Sequence, residues 1–268
     1  MAGVRTITAP LATLRYGTMP LLATAIHAGH AMRAELAERS ALTPEERLRE
    51  EDPFTDRWVS VSDTTIVGTT SRFEADLNRS PDLAIYRGPE DAWGLKLWER
   101  DPDEEAHGRS RERYAATYAA FGDLLDAMLD AHERVVIYDI HSYNHQRKGP
   151  GVFADTETDP DINLGTANLD RAVWGGVVEE LMHGLRRPMA DGRRLQVAEN
   201  VKFKGGWFTR WAFERYGDRV CPIAIEFKKI FMDEWTGVPD EACITGLHTL
   251  LKATVPSVID RCHDISAP

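Results

Sequence analysis

Two apolar segments of this sequence each end on a histidine, and this pairing constrains the fold more than any other feature. Residues 21–26 lead to His27, and residues 135–140 lead to His141. Short apolar runs of this kind are typical of buried strands in an α/β sheet, where ligands bind outside the carboxyl ends of the strands. A third apolar run ends on Glu226 in the same way. Two imidazoles and a carboxylate at neighbouring strand ends indicate a site for metal-assisted hydrolysis.

The clearest helix is predicted over residues 109–132, directly before the strand that ends at His141. Its apolar side chains recur at alternating steps of four and three, which is one face of a helix packed on a core. These side chains are Tyr114, Tyr118, Phe121, Leu125 and Met128. A helix followed directly by a strand indicates a crossover onto a largely parallel sheet. Because no low-complexity linker divides the 268 residues, we predict a single α/β catalytic domain over residues 1–268.

The other helices and strands are predicted from helix-capping residues and from the prolines and glycines that interrupt regular structure. Strands are expected at residues 64–70 and 195–198, and helices at residues 31–42, 44–51, 168–187, 207–215 and 239–259. Thr43 is expected to cap the second of these helices in a capping box. Residues 80–106 and 148–165 are rich in proline, glycine and charge and are predicted to be irregular.

Composition argues against several classes of partner. A net charge of −11 and a pI near 5.3 argue against nucleic acid, because phosphate binding needs a basic surface. No apolar run approaches the roughly 18 residues of a membrane span. The three cysteines form no metal-binding pattern and are typical of buried thiols in a reducing compartment. We therefore expect a cytoplasmic protein whose partner is a small molecule.

The third ligand of a metal site is left open by these patterns. His30 follows His27 at helical spacing, and Asp56 is the rival candidate. Glu74 and Asp76 are weaker candidates, because acids in charged loops are usually solvated.

Two acids near the predicted strand ends could act on a metal site without binding the ion. Asp139 precedes His141 by two residues, so both side chains point to the same side of a strand, and Asp139 could orient the imidazole or form a structural salt bridge. Glu226 is enclosed by apolar residues, where a carboxylate is costly unless it is paired or functional. It is therefore a candidate general base, although pairing with Lys228 or Lys229 is the alternative.

Arginine and asparagine side chains between the strands could hold an anionic substrate. Arg72, Asn78 and Arg79 lie in one short segment, and the planar guanidinium matches a carboxylate with two hydrogen bonds. Arg210 follows a Gly-Gly pair at a predicted helix start, where an anion is also favoured.

A set of motifs in fixed order resembles the N-formylglutamate amidohydrolase family. The motifs are Ala25-Ile26-His27-Ala28-Gly29, Phe54-Thr55-Asp56, Asp76-Leu77-Asn78-Arg79-Ser80-Pro81, Asp139-Ile140-His141-Ser142, Asp161-Ile162-Asn163-Leu164-Gly165-Thr166, residues 200–210, and Glu226 with Met232-Asp233-Glu234. They extend from about residue 20 to residue 236. Each motif is short, but the ordered set is specific.

The resemblance implies a fold similar to zinc carboxypeptidases and aspartoacylases, a three-layer α/β/α sandwich around a mixed, mostly parallel sheet. It also implies one divalent metal, zinc, held by His27, His141 and a third side chain. The carboxypeptidase pattern has a glutamate where this sequence has His30. By the family pattern, Asp56 is the expected third ligand.

The same resemblance implies roles for four further residues. Asn78 and Arg79 would hold the substrate α-carboxylate, Arg72 would polarise the scissile carbonyl, and Glu226 would be the general base. The implied activity is hydrolysis of an N-formyl or other N-acyl amino acid, as in histidine catabolism. Residues 145–148 depart from the family pattern, which leaves the acyl group and the amino acid open.

Two other functions are compatible with these residues. A metallo-carboxypeptidase acting on small peptides would use the same groups with a larger pocket. A binding protein of the same fold that has lost the metal would use none of them catalytically.

Overall fold

The computed structural model describes residues 5–265. The strands are β1 (Arg5–Thr8), β2 (Ala12–Tyr16), β3 (Leu21–Ala25), β4 (Thr64–Gly68), β5 (Val135–Tyr143), β6 (Ile162–Gly165), β7 (Val197–Glu199) and β8 (Val220–Lys228). The helices are α1 (Ala34–Ala37), α2 (Pro44–Glu50), α3 (Glu104–Ala131), α4 (Arg171–Leu185), α5 (Trp207–Tyr216) and α6 (Glu241–His263).

The eight strands form one mixed sheet in the order β1-β2-β4-β3-β5-β8-β6-β7. The central strands β4, β3, β5 and β8 run parallel to one another, and β6 and β7 are also parallel. The pairs β1/β2, β2/β4 and β6/β8 are antiparallel. The carboxyl ends of β3, β5 and β8 therefore meet at one edge of the sheet.

Helices cover both faces of this sheet. One core cluster joins the odd-numbered side chains of β3 to α4 and α6, and a second joins the opposite face to α3 and α5. All five side chains of the predicted α3 stripe are buried in the second cluster. This arrangement confirms the predicted three-layer α/β/α sandwich.

The observed ends of helices and strands depend on local capping and strand pairing, which the periodicity of apolar residues does not reveal. Helix α3 begins five residues before its predicted start, because the Asp103 side chain accepts a hydrogen bond from the amide of Ala106 at 2.9 Å. The capping box predicted at Thr43 is confirmed. Strand β6 lies inside the segment predicted to be irregular, where it pairs with the buried strand β8.

Helix α6 is long and apolar enough, by length and composition, to cross a membrane. Its side chains Leu247, Leu251, Val255 and Val258 are instead buried in the core cluster that includes α4. A core helix of a soluble α/β protein passes the same test, so this helix is weak evidence for a membrane span.

Candidate metal centre

The two predicted histidines lie side by side at the carboxyl edge of the sheet. His27 follows β3, and His141 lies near the end of the neighbouring parallel strand β5. Their ring centroids are 5.0 Å apart with an angle of 65° between the ring planes. Both are buried. The structure thus brings together the two imidazoles that the sequence pairs.

Asp52 completes this group. Its Oδ2 atom lies 3.0 Å from Nδ1 of His141 and 3.5 Å from Nδ1 of His27. One potential ligand atom from each of the three residues lies within 4.8 Å of the others, and all three residues are buried. Two imidazole nitrogens and a carboxylate oxygen form the type of three-residue set found in catalytic zinc sites.

Asp56, the expected third ligand, does not lie with the histidines in this structure, and Asp52 lies beside them instead. Asp56 lies on a single 3-10 turn, Thr55–Arg57, and its side chain is exposed to solvent. Asp52 is fixed beside the end of β3 because its backbone amide donates to the carbonyl of His27 at 3.0 Å. The signal in the sequence is Pro53, which keeps the preceding residue out of the helical conformation and so leaves the Asp52 carboxylate just beyond the end of α2.

The other candidates for the third ligand are engaged elsewhere. Nδ1 of His30 lies 2.6 Å from a carboxylate oxygen of Glu51. Glu74 is buried in ion pairs with Arg33 and Arg113.

A carboxylate also contacts the remaining nitrogen of each imidazole. Nε2 of His27 lies 2.7 Å from Oδ1 of Asp76, and Nε2 of His141 lies 3.1 Å from Oδ2 of Asp139. The second approach is an ion-pair contact without hydrogen-bond alignment, because Asp139 Oδ2 has no hydrogen-bond partner among the described residues. Oδ1 of Asp139 accepts a hydrogen bond from the Thr24 hydroxyl at 2.7 Å. These contacts leave both Nδ1 atoms directed at Asp52, as in metal sites where an outer carboxylate orients each histidine.

The electrostatics of this group favour a cation. Burial opposes the charged form of His141, yet Asp139 and Asp52 raise the pKa of its imidazole well above the usual value. Burial likewise opposes the ionisation of Asp52, but hydrogen bonds from His141 and His27 lower the pKa of its carboxyl group. Asp52, Asp76 and Asp139 thus surround two imidazoles with anionic charge in a buried space. The donor set and its surroundings fit a divalent metal ion, and these residues could hold one.

Glu226 faces the same space from β8, and its side chain makes no hydrogen bond or ion pair with any described residue. Burial, reinforced by the charges of Asp52 and Asp139 and opposed by His141, raises the pKa of its carboxyl group to about 8. The predicted alternative, pairing with Lys228 or Lys229, does not occur. Lys228 instead binds Asp161 at 2.8 Å, and Lys229 binds two backbone carbonyls.

The histidines and Glu226 line a cavity of about 230 Å³. Its other charged walls are formed by Glu50, Asp52, Arg72, Arg147, Lys204 and Lys229. Three aromatic residues, Trp93, Tyr143 and Phe203, also line it. Trp93 comes from the segment predicted to form an irregular rim, and its backbone adopts a left-handed φ of 54°. Strained backbone of this kind is often found at functional sites.

Lys229 is a residue of this cavity whose position the sequence does not reveal. Its ammonium donates to the carbonyls of Arg49 and Glu51 at 2.5 and 2.8 Å. Because Glu51 directly precedes Asp52, these bonds hold the backbone that delivers the aspartate. Burial lowers the pKa of the Lys229 ammonium to about 8.

Arg72 and Asn78 line the cavity as predicted. Arg72 donates to Oδ2 of Asp76 at 2.7 Å through Nη2, and this carboxylate raises the pKa of the guanidinium despite burial. The Asn78 side chain accepts from the amide of Phe208 at 3.0 Å, and its amide nitrogen is 3.4 Å from Nε2 of His141.

Arg79 and Arg210 do not line the cavity, contrary to expectation. The Arg79 guanidinium lies over the ring of Tyr86 and donates to the carbonyl of Asp91 at 2.7 Å. Arg210 is exposed on α5 and pairs with Glu214 at 3.4 Å. Helix α5 begins at Trp207, and Arg210 is its fourth residue. The Arg210 side chain lies on the outer surface of the helix, away from the free amides at the helix start.

Residues 19–232 match the family model of N-formylglutamate amidohydrolase. The chain belongs to this family. Membership places it among hydrolases of the amidohydrolase type, in agreement with the motifs described above. No curated protein matches the sequence.

Two solved structures support the family's fold for this chain. An N-formylglutamate amidohydrolase from Ralstonia eutropha JMP134 has a TM-score of 0.71 at 19% identity, over 95% of this chain and 98% of that one. A gene product from Agrobacterium tumefaciens has a TM-score of 0.61 at 19% identity, over 89% of this chain and 91% of that one. At these identities the likeness concerns the fold alone.

Proposed function

We propose that this chain is a metal-dependent amidohydrolase that cleaves the amide bond of an N-formyl or other N-acyl amino acid. The observation that carries the proposal is the position of Glu226. Its carboxylate has no partner among the described residues, and it shares one cavity with the group formed by His27, Asp52 and His141. A buried, unpaired carboxylate beside a metal site is suited to act as a general base.

His27, Asp52 and His141 would hold the ion, for which we propose zinc. When bound there, zinc would supply the Lewis acidity that acidifies water and polarises a carbonyl. Asp76 and Asp139 would fix the orientation of the two imidazoles through their Nε2 atoms. The support for zinc is the ligand set, because two imidazoles and one carboxylate suit this metal better than they suit magnesium or calcium.

Glu226 would move the proton. Its carboxylate would accept a proton from the attacking water as the water oxygen bonds to the acyl carbon. The same carboxyl group would then deliver that proton to the amide nitrogen as the C–N bond breaks. The products would be a carboxylate and a free amino acid. Arg72, fixed by Asp76, would donate to the carbonyl oxygen as negative charge develops on it.

The substrate α-carboxylate would bind where Asn78, Lys204 and the start of α5 meet. A side chain at Gly206 would collide with the Asn78 amide, so the absence of a side chain brings this backbone against Asn78. No described residue accepts a hydrogen bond from the amides of Gly205 and Gly206, and both residues line the cavity. Free amides at a helix start favour an anion. Lys204 and these amides thus replace Arg79, which was expected from the sequence to bind the α-carboxylate.

The cavity volume supports a small substrate. At about 230 Å³, it falls below the range of roughly 300–1,000 Å³ typical of pockets for drug-sized ligands. This favours an N-acyl amino acid over a peptide. A cytoplasmic location is part of the proposal, supported by three cysteines that are buried and unpaired in the structure.

The test is a comparison of purified wild-type protein with the Glu226→Gln variant. We expect stoichiometric metal in both proteins, and turnover of N-formyl amino acids that falls about 100- to 10,000-fold in the variant. Glu112→Gln, an exposed acid on α3, is the matched control and should retain wild-type turnover. Near-wild-type hydrolysis by Glu226→Gln would refute its role as the base.

The same samples separate the other two functions. Faster cleavage of dipeptides than of N-acyl amino acids would identify a metallo-carboxypeptidase instead. Failure to retain metal, together with no turnover after addition of zinc, cobalt or manganese, would identify a binding protein.

A further inference from the structure

Asn163 continues the row of side chains that contains His141 and Glu226. Glu226 of β8 is the Cα partner of His141 in β5, and on its other side it is the Cα partner of Asn163 in β6. Cα partners project their side chains to the same side of the sheet, and each step along the row is about 4.8 Å. Asn163 is fully buried, and the proposed reaction gives it no role.

The Asn163 side chain holds the loop that leads into α5. Its Oδ1 accepts hydrogen bonds from the amides of Val201 and Lys202 at 3.1 and 2.9 Å, and its Nδ2 donates to the carbonyl of Phe203 at 2.8 Å. One buried side chain thus binds the backbone of three consecutive residues. We call residues 200–206 the anion loop.

The end of β6 also contacts the anion loop through its backbone. The amide of Ala167 donates to the carbonyl of Lys204 at 2.9 Å. Gly165, the last residue of β6, lies so close that a β-carbon there would be 2.5 Å from the amide nitrogen of Gly205. A side chain at position 165 would therefore displace the loop without removing the groups that bind it.

The residues of the anion loop that line the cavity keep their donors free. No described residue accepts a hydrogen bond from the backbone amides of Lys204, Gly205 and Gly206, and all three residues line the cavity. The Lys204 side chain likewise makes no hydrogen bond or ion pair with any described residue. Three amides and an ammonium without acceptors are suited to bind a carboxylate.

We propose that Asn163 is a positioning residue that fixes the anion loop on the amine side of the scissile bond. This inference rests on the proposed function. His141 belongs to the candidate metal centre, Glu226 would protonate the amide nitrogen, and Asn163 holds the anion loop one strand further along the row. This order matches the order of acyl carbon, nitrogen and α-carboxylate in an N-acyl amino acid. The loop should therefore bind the part of the substrate that leaves as the amine.

The test compares N-formylglutamate with its α-carboxamide, N-formylisoglutamine, in wild-type protein and two variants. Asn163→Ala removes the side-chain bonds to the anion loop, and Gly165→Ala displaces the loop while Asn163 is present. We expect each variant to reduce the preference for the free α-carboxylate about 10- to 100-fold, the range for hydrogen bonds to a charged group, through KM rather than kcat. Turnover of the carboxamide and metal content should change little, because neither position contacts the metal centre.

Leu164→Ala separates positioning from a loss of stability. Leu164 lies between the two positions, but its side chain is buried in the core on the opposite face of the sheet. This control should also lower the melting temperature, yet it should keep the preference for the free α-carboxylate.

Two results would contradict the inference. One is an equal loss of activity with both substrates in Asn163→Ala and Leu164→Ala, in proportion to the melting temperature, which would show a purely structural role. The other is an unchanged preference in Gly165→Ala, and this variant decides the question if Asn163→Ala does not fold.

Binding measurements separate failure of this inference from failure of the proposed function. Calorimetric titration of Glu226→Gln should show tighter binding of N-formylglutamate than of its α-carboxamide, and the difference should be lost in the Glu226→Gln/Gly165→Ala double variant. If wild-type protein hydrolyses neither compound, the proposed function fails, and the titration still tests the anion loop. If hydrolysis occurs but the double variant retains the difference, only the inference about Asn163 fails. Equal binding of both compounds by Glu226→Gln also contradicts it.

Discussion

Glu226 lies directly across from His141 on the adjacent parallel strand. The two residues are Cα partners in the β5/β8 ladder, so their side chains leave the sheet on the same side. This register sets an unpaired carboxylate beside an imidazole of the candidate metal centre. Residues 141 and 226 are far apart in the sequence, and only the strand order makes them neighbours.

The candidate metal centre contains Asp52 and not Asp56, the ligand expected from the sequence, and this difference can be tested by mutation. Asp52→Asn should lose stoichiometric zinc, because it removes the only carboxylate among residues 5–265 that both Nδ1 atoms face. Asp56→Asn makes the same chemical change four residues later on an exposed turn and should retain the metal. Elemental analysis of the two purified variants checks this. Metal loss in Asp56→Asn with retention in Asp52→Asn would restore the sequence-based assignment.

The Asp139 carboxylate, which contacts Nε2 of His141, should increase metal affinity without binding the ion itself. Asp139→Asn keeps the shape of the side chain but removes the charge that contacts Nε2. We expect metal affinity to fall about 10- to 100-fold, as for other outer carboxylates. Competition with a chelator of known affinity measures the change. Asp191→Asn, on an exposed turn, is the control, and equal affinity in both variants would contradict the role of Asp139.

The burial of Glu226 should make the stability of the metal-free protein depend on pH. Burial raises the pKa of this carboxyl group from 4.5 to about 8. Between these two pH values, the group is ionised in the unfolded chain and protonated in the folded protein. The contribution of this titration to the free energy of unfolding is therefore fully present below pH 4.5 and is lost as pH rises to about 8.

Glu226→Gln removes this titration and provides the comparison. Relative to this variant, the wild-type free energy of unfolding should fall by up to about 1.4 kcal/mol per pH unit within that window. Urea denaturation of both proteins at pH 5 and pH 8, in the presence of a chelator, measures it. The prediction fails if the difference between the two proteins is the same at both pH values.

Lys229 should support the segment that carries Asp52. Lys229→Met leaves the carbonyls of Arg49 and Glu51 without their buried donor. We expect the free energy of unfolding to fall by about 1–3 kcal/mol, the cost of unsatisfied buried groups. Urea denaturation at pH 7 checks this, with Lys148→Met as the exposed control. A variant as stable as wild type would show that these bonds do not stabilise the segment.

The sequence by itself determined the layers of the fold and the residues at its strand ends. Apolar runs of strand length and the stripe on α3 depend on local periodicity, which burial imposes on each element separately. His27, His141 and Glu226 end such runs, so their meeting at one sheet edge follows from parallel strands. The ordered motifs added the family, because several short patterns in fixed order are far more specific than any one of them.

Only the tertiary structure decided which polar side chains complete the cavity. No sequence pattern singled out Asp52, and its position beside the histidines depends on a hydrogen bond between its amide and the His27 carbonyl. Arg79 and Arg210 carry the expected charge but point elsewhere, because the direction of a long side chain is set by packing. Distances between loops such as those of Arg147 and Glu50 depend on strand order and on the path of each connection, and no local pattern encodes them.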